Sequence, residues 1–169
     1  HGILITGNSG IGKGHLALEL SRLLLCTEPN EPQACGQCAS CQLLKNSVHP
    51  DLHVLVPETQ IDNQPEPIQR HASRYFMSEK GASSTRKPSR VIGVDAVRLL
   101  SDSLTTKSGR AGRKLSLIVP ADRLNSNSMN ALLKLLEEPA ADTYIILVSA
   151  RPYRLAATIR SRCIQLECP

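Results

Sequence analysis

Three groups of residues in this chain have types and spacings suited to chemistry. The first is Gly7-Asn-Ser-Gly-Ile-Gly12-Lys13-Gly14, a G-x-x-x-x-G-K run. Backbone N–H groups of such a loop cradle phosphate oxygens, and the lysine reaches the outer phosphates. The second is Cys26, Cys35, Cys38 and Cys41, spaced C-x8-C-x2-C-x2-C. The third is the basic run Arg160-Ser161-Arg162-Cys163 near the end of the chain. An arginine on a subunit edge can stabilise the charge that develops on phosphates held by a neighbour.

The phosphate loop is incomplete. After the lysine, a Ser or Thr hydroxyl should hold Mg²⁺, but Gly14 has none. A second metal ligand and a water-activating carboxylate should follow a later apolar strand. The strand in question is Leu115 to Val119, so Val119 and Pro120 stand at those positions, with Asp122 beyond them. Neither Val119 nor Pro120 can bind a cation or take a proton. With both halves of the magnesium and base machinery lacking, hydrolysis loses its main electrostatic support. Gly7, Gly12 and Lys13 are expected to form a degenerate cradle that holds no ATP productively. Weak metal-free nucleotide binding, or a Lys13 left on the surface of a retained scaffold loop, are the readings the residues leave open.

Four thiolates can close a tetrahedral zinc site, and the two-residue gaps allow tight turns with N–H groups facing sulfur. An iron–sulfur run with this start would need a further Cys at position 45 followed by Pro. Lys45 and Asn46 stand there instead, which favours Zn²⁺. Four sulfurs leave no open position for water, so the metal is structural and Cys26, Cys35, Cys38 and Cys41 are its ligands. His49 is the reserve ligand, or else simply a histidine at a loop end. Cys163 and Cys168 are expected to be ordinary thiols.

The elements that position these groups follow from periodicity. Ile3–Thr6, Leu52–Val56, Leu115–Val119, Tyr144–Ser149 and Cys163–Glu167 read as strands. Helices are expected over His15–Leu25, from Asp95 as N-cap through Leu104, over Ser128–Glu138 and over Leu155–Ser161. In the first helix Leu16, Leu20, Leu23 and Leu24 fall on one face. Strands separated by helices imply a parallel sheet covered on both sides. The stretch Pro57–Arg90, with four prolines and many polar residues, reads as a flexible insertion holding a short helix over Ile68–Met77. One domain is expected over residues 1–169, and the abrupt ends read as cuts in a longer chain.

Composition narrows the class. At 169 residues with 41% hydrophobic and 21% charged residues, the profile is globular, and no apolar run approaches the roughly 20 residues of a membrane span. A cysteine cluster of this kind points to a reducing compartment. Net charge is +5 but uneven. Residues 70–114 carry eleven Lys/Arg against three Asp/Glu, leaving the remainder at −3. A basic middle suits phosphate backbones or acidic partners, and equally a solvated surface.

Taken in order, GNSGIGKG, the Cys26/Cys35/Cys38/Cys41 cluster, His49-Pro-Asp51, Asn130-Ala-Leu-Leu-Lys-Leu-Leu-Glu-Glu-Pro139 and Ser161-Arg-Cys163 resemble the AAA+ clamp-loader subunits of bacterial DNA polymerase III and their replication factor C relatives. The match spans nearly the whole chain, with Pro57–Arg90 as the main departure. The resemblance implies a five-stranded parallel sheet in a nucleotide-binding-like first domain, with lid and collar domains outside this sequence. The motor subunits (gamma/tau) of that family keep the Ser/Thr and the Asp-Glu pair that are lacking here. This chain is therefore similar to the family's stationary, non-hydrolysing member. The resemblance further implies a cytoplasmic bacterial hetero-oligomer with gamma/tau and delta subunits, which loads a sliding clamp on primed DNA. It makes Arg162 the finger offered in trans, positioned by Ser161 and Cys163, and puts Ser149 at a nucleotide-sensor position. Two alternatives stay open: an active gamma/tau-like ATPase, and a zinc-stabilised nucleic-acid-binding module using the basic middle.

Overall fold

The computed structural model describes residues 1–30, 32–76, 87–106 and 112–169. Five strands, β1 (Gly2–Gly7), β2 (Leu52–Leu55), β3 (Lys114–Ile118), β4 (Thr143–Ser149) and β5 (Ile164–Cys168), form one sheet in the order β2-β3-β4-β1-β5. Every pairing is parallel, with Ile3 opposite both Ile146 of β4 and Ile164 of β5, and Leu117 opposite Val54 and Ile146. The helices are α1 (Lys13–Leu25), α2 (Ala39–Lys45), α3 (Glu66–Phe76), α4 (Val94–Thr105), α5 (Ser126–Glu137) and the one-turn α6 (Ala157–Arg160).

The sheet is buried on both faces because its strands are nearly continuous apolar runs. Leu4, Ile118, Ile145 and Leu147 face one layer, where they pack with Val97, Leu100 and Leu104 of α4, Leu132 and Leu136 of α5, and Ile159 of α6. Their sequence neighbours Ile5, Leu117, Ile146 and Val148 face the other layer, against Ala17, Leu18 and Leu25 of α1, Leu44 of α2, and Ile68 and Ala72 of α3. Alternate residues of one strand thus serve two cores, as the pleat requires.

Three expectations need correction. The N-cap of α4 is Gly93, and Asp95 sits in the first turn, where its charge complements the helix dipole. In α1 the core face is Ala17, Leu18, Ser21 and Leu25, whereas Leu16 is 44% exposed and Leu20 and Leu23 are partly covered. Leu16, Leu20 and Leu23 line a cleft of about 660 Å³ together with Pro32, Ala34 and Gly36 of the cysteine-bearing segment, while Leu20 and Leu24 also pack against the edge of the core. The third correction narrows the expected insertion, whose short helix, expected over Ile68–Met77, is present as α3. Residues Glu58–Asn63 form a 3₁₀ turn, and α3 buries Ile68, His71, Ala72 and Tyr75 on one helical face. Pro67 falls in the first turn of α3, where a missing N–H costs nothing. Ser89 ties the end of the stretch back to its start, donating its N–H to Glu58 Oε2 at 2.7 Å and accepting from Thr59 N at 3.1 Å. Residues 77–86 lie outside the described residues, as do 107–111 of the basic loop.

Candidate functional site

The Gly-rich turn joins β1 to α1 with Gly7, Gly10 and Gly12 at φ of 141°, 84° and 88°, a left-handed region that glycine enters without penalty. Gly7 is also fixed by contact: a Cβ there would stand 2.4 Å from the Cys168 carbonyl oxygen. The loop therefore has the backbone of a phosphate cradle, but its lysine is not displayed. Lys13 opens α1, is 7% exposed, and donates its ammonium to the carbonyl of Asn8 inside the same loop. The reading of Lys13 as a surface lysine is thus corrected. A Cβ on Gly14 would meet only Ile68 Cδ1, at 3.9 Å, so the site has room for the hydroxyl that the sequence does not supply.

On the β3 side, Val119 is buried directly after the strand and Pro120 precedes a short 3₁₀ turn, Ala121–Arg123. Asp122 accepts a hydrogen bond from Ser149 Oγ at 2.7 Å, and the same hydroxyl accepts from Arg151 N at 2.9 Å. The Ser149 hydroxyl is thus engaged as both donor and acceptor within the protein itself.

The four cysteines converge. Cys26 follows the end of α1, Cys35 and Cys38 lie in the connecting loop, and Cys41 is in the first turn of α2. Their sulfurs all lie within 4.8 Å of one another. Cys26 Sγ is 3.5 Å from Cys35 Sγ and 3.9 Å from Cys38 Sγ, and Cys35 Sγ is 4.0 Å from Cys41 Sγ. A tetrahedral ion with metal–sulfur bonds of about 2.3 Å sets its sulfurs about 3.8 Å apart, so the donor set fits one. Backbone N–H groups of Cys35, Cys38 and Cys41 donate to the sulfurs of Cys26, Cys35 and Cys38 at 3.3–3.4 Å, which favours thiolate. Burial opposes ionisation of Cys38. Hydrogen bonds from the Thr27 side chain and from the backbone of Cys41 and Thr27 outweigh it and bring that thiol down to about 5.

His49 is not placed as the reserve ligand: the cluster consists of the four cysteines, and both ring nitrogens of His49 are engaged elsewhere. It is fully buried, and its Nδ1 accepts from Asp51 N at 3.1 Å. Nε2 therefore carries the proton and donates to Ser40 Oγ at 2.8 Å, and Ser40 in turn donates to the Leu25 carbonyl at 2.6 Å. This relay fastens the α1 end, α2 and the start of β2 beside the cysteine cluster.

The basic middle is partly structural. Lys114 is buried, its charge disfavoured by burial, and its ammonium bonds the Ser103 carbonyl and Thr106 Oγ1 at the C-terminus of α4. Arg74 donates to the carbonyls of His49 at 2.9 Å and Leu52 at 3.3 Å. Arg113 donates to the Leu24 carbonyl at 3.1 Å, and Arg70 and Arg98 pair with Glu66 and Asp95 on their own helices.

Arg162 lies in the turn between α6 and β5. Its Nη2 is 2.7 Å from Glu137 Oε1, and its Nη1 donates to the Thr158 carbonyl at 3.1 Å, with the side chain 37% exposed. Ser161 bonds the same Thr158 carbonyl at 3.1 Å. Cys163 packs against the α4–α5 core layer, and burial pushes its thiol up to about 11. Sequence reasoning misses the Glu137 contact. The only hint in the sequence is a carboxylate pair, Glu137-Glu138, at a helix C-terminus where the dipole disfavours it.

A five-stranded parallel sheet between helical layers, with a Gly-rich turn leading from β1 into α1, defines a P-loop NTPase-like α/β domain of the AAA+ kind. The chain belongs to the family described as DNA polymerase III, delta subunit, whose model matches residues 1–169. It is 40% identical over its whole length to DNA polymerase III subunit delta' of Pseudomonas aeruginosa. It is 36% identical over 96% of its length to the subunit of the same name from Escherichia coli K12. The chain spans 43% and 40% of those two relatives. A solved gamma subunit-related protein of Thermotoga maritima superposes with a TM-score of 0.60 at 21% identity. That superposition covers 99% of this chain and 41% of the other, and it carries the fold alone.

Proposed function

We propose that this chain is the nucleotide-binding-like domain of a delta-prime clamp-loader subunit: it does not hydrolyse ATP itself and offers Arg162 to ATP held by an adjacent motor subunit. The assembly would comprise gamma/tau and delta subunits in the bacterial cytoplasm, and would place a sliding clamp on primed DNA. A structural Zn²⁺ on Cys26, Cys35, Cys38 and Cys41 would hold the segment between α1 and α2 in place.

One observation carries this reading. Gly2, at the start of β1, is packed against Arg162, while Gly7, at its end, is packed against Cys168. Arg162 and the Gly-rich turn thus lie at opposite ends of the same pair of strands. Five residue steps of strand separate them, about 16 Å, so Arg162 cannot serve its own loop and is free to serve another subunit's. The loop side agrees: Gly14 lacks a hydroxyl, β3 is followed by Val119-Pro120, and Lys13 is engaged by Asn8. A guanidinium placed on a neighbour's outer phosphate would stabilise the transition-state charge, an effect of roughly 10³–10⁵ in rate.

The test uses the full-length protein carrying Arg162→Ala, assembled with its motor subunits. ATP hydrolysis stimulated by clamp and primed DNA is expected to fall steeply while assembly stays intact. Unchanged turnover would remove Arg162 from any neighbour's active site.

A further inference from the structure

We infer that Glu137 is the positioning residue for Arg162: its carboxylate holds the guanidinium at the subunit edge in the orientation that a neighbour's phosphate meets. The inference rests on the reading of Arg162 as a finger acting in trans.

The geometry is specific. Glu137 is the last residue of α5, and its Oε1 meets Arg162 Nη2 at 2.7 Å. The Thr158 carbonyl holds Nη1 at 3.1 Å. Two of the five guanidinium N–H donors are thereby fixed, and three remain for an external acceptor. Neither partner is buried: the side chains are 37% and 42% exposed, so the pair can be reached from outside. An arginine with four free torsions would otherwise have to lose much of its rotamer freedom when it meets phosphate.

The surroundings hold the pair in register. His1 Nε2 lies 2.8 Å from the Leu136 carbonyl, next to Glu137. A Cβ on Gly2 would come within 3.0 Å of both the Arg162 carbonyl oxygen and Leu136 Cδ2, and within 3.2 Å of Cys163 Sγ. The start of β1 therefore packs closely against both the end of α5 and the 161–163 turn, and a side chain at Gly2 would make its neighbours there give by a few tenths of an ångström. Helix stability does not account for Glu137. Among the described residues α5 ends on two consecutive carboxylates, Glu137 and its C-cap Glu138, where the negative end of the helix dipole opposes both. An exposed ion pair of this kind also adds little to folding.

The experiment is a double-mutant cycle in the full-length protein, assembled with its motor subunits and assayed with clamp and primed DNA. The variants are Arg162→Ala, Glu137→Gln and the two combined, and kcat and KM for ATP are read separately. Glu137→Gln is expected to lower kcat by roughly tenfold with KM little changed, a smaller loss than removal of the finger. In the Arg162→Ala background the same substitution should do nothing more. Glu137→Asp, which keeps the charge, should recover part of the rate. Thermal unfolding of the isolated variants controls for a structural effect and should show no shift. If Arg162→Ala lowers kcat while Glu137→Gln leaves it unchanged, the positioning role fails and the finger stands. A rise in kcat on Glu137→Gln would mean that the carboxylate competes for the guanidinium, and also overturns the assignment. Losses that add in the double variant would make Glu137 act independently of Arg162, which overturns it as well. If Arg162→Ala itself changes nothing, the finger reading falls first and this inference with it.

Discussion

Ser149, the last residue of β4, donates its hydroxyl to Asp122 Oδ1 at 2.7 Å, and accepts the N–H of Arg151. A polar residue at this strand end would report on bound phosphate in a working nucleotide site. Here the hydroxyl instead joins the turn after β3 to the turn after β4. Ser149→Ala strands the Arg151 N–H and removes Asp122's partner, so it should cost about 1–2 kcal/mol of stability. Denaturant titration reads that loss as a lower midpoint at constant slope. Turnover of the assembled complex should not change beyond what the loss of folded protein explains. A specific effect on hydrolysis would restore a sensor role to Ser149.

The cysteine cluster gives a direct metal test. Protein purified without chelator should carry about one Zn²⁺ per chain, read by elemental analysis. Cys38→Ser should abolish it, since Cys38 is one of the four candidate ligands and its sulfur also accepts the Cys41 N–H. The α1–α2 connection should then become protease-sensitive, because the clustered sulfurs join its two ends and its middle. Iron and inorganic sulfide in place of zinc would overturn the metal assignment.

Two buried histidines set an acid limit. His53 and His71 are both lowered to about 4, chiefly by burial, with Arg74 adding to both and Lys114 to His53. The folded state thus binds these protons less readily than the unfolded chain, whose histidines titrate near 6.5. Their contribution is fully present above about 6.5 and declines as pH falls toward 4, by up to about 3 kcal/mol each. His71 makes the cleaner test, because its ring is buried and its Nε2 makes no hydrogen bond of normal geometry among the described residues, while Nδ1 bonds the Pro67 carbonyl. Metal loss also occurs in acid, so the readout is the difference between parent and His71→Leu. Their unfolding free energies should converge or cross as pH drops from 7 to 4.5. A constant difference would mean that His71 does not titrate in this window.

Much of this architecture is legible in the sequence, and the failures are physical. The apolar strands around Ile5, Leu117 and Ile146 declare a two-sided sheet because nearly every position is hydrophobic. Helix α3 is half hidden because its buried stripe uses His71 and Tyr75 beside Ile68 and Ala72. The Tyr75 hydroxyl on that stripe is satisfied by a distant partner, His53 Nδ1, at 2.9 Å. The short helix α2 follows from the metal-ligand turn rather than from periodicity, with Cys38 sulfur as its cap. In α1 the leucines suggest one face, but the core takes the face of Ala17, Leu18, Ser21 and Leu25, so that two small residues stand among the leucines it buries. The convergence of the four cysteines is readable from their spacing, because two-residue gaps bring the sulfurs of one short segment together. The engagements of Lys13 with Asn8 and of Arg162 with Glu137 are not, since a long cationic side chain has many reachable acceptors and sequence alone does not rank them.

Gly14 separates the missing hydroxyl from the rest of the lost machinery. It occupies the second position of α1, its φ is not positive, and a Cβ there touches only Ile68 Cδ1 at 3.9 Å. Gly14→Ala should therefore stabilise the domain by roughly 0.5–1 kcal/mol, because the unfolded chain loses freedom and the helix gains propensity. Gly14→Thr restores the magnesium-binding hydroxyl in a place that can hold it. Val119 and Pro120 still offer no carboxylate, and Asp122 remains bonded to Ser149. The isolated full-length Gly14→Thr variant should consequently show no Mg²⁺-dependent ATP turnover, even at high enzyme concentration. Turnover from this single change would mean that one hydroxyl was the whole defect, and that the turn after β3 supplies a base the present geometry does not display.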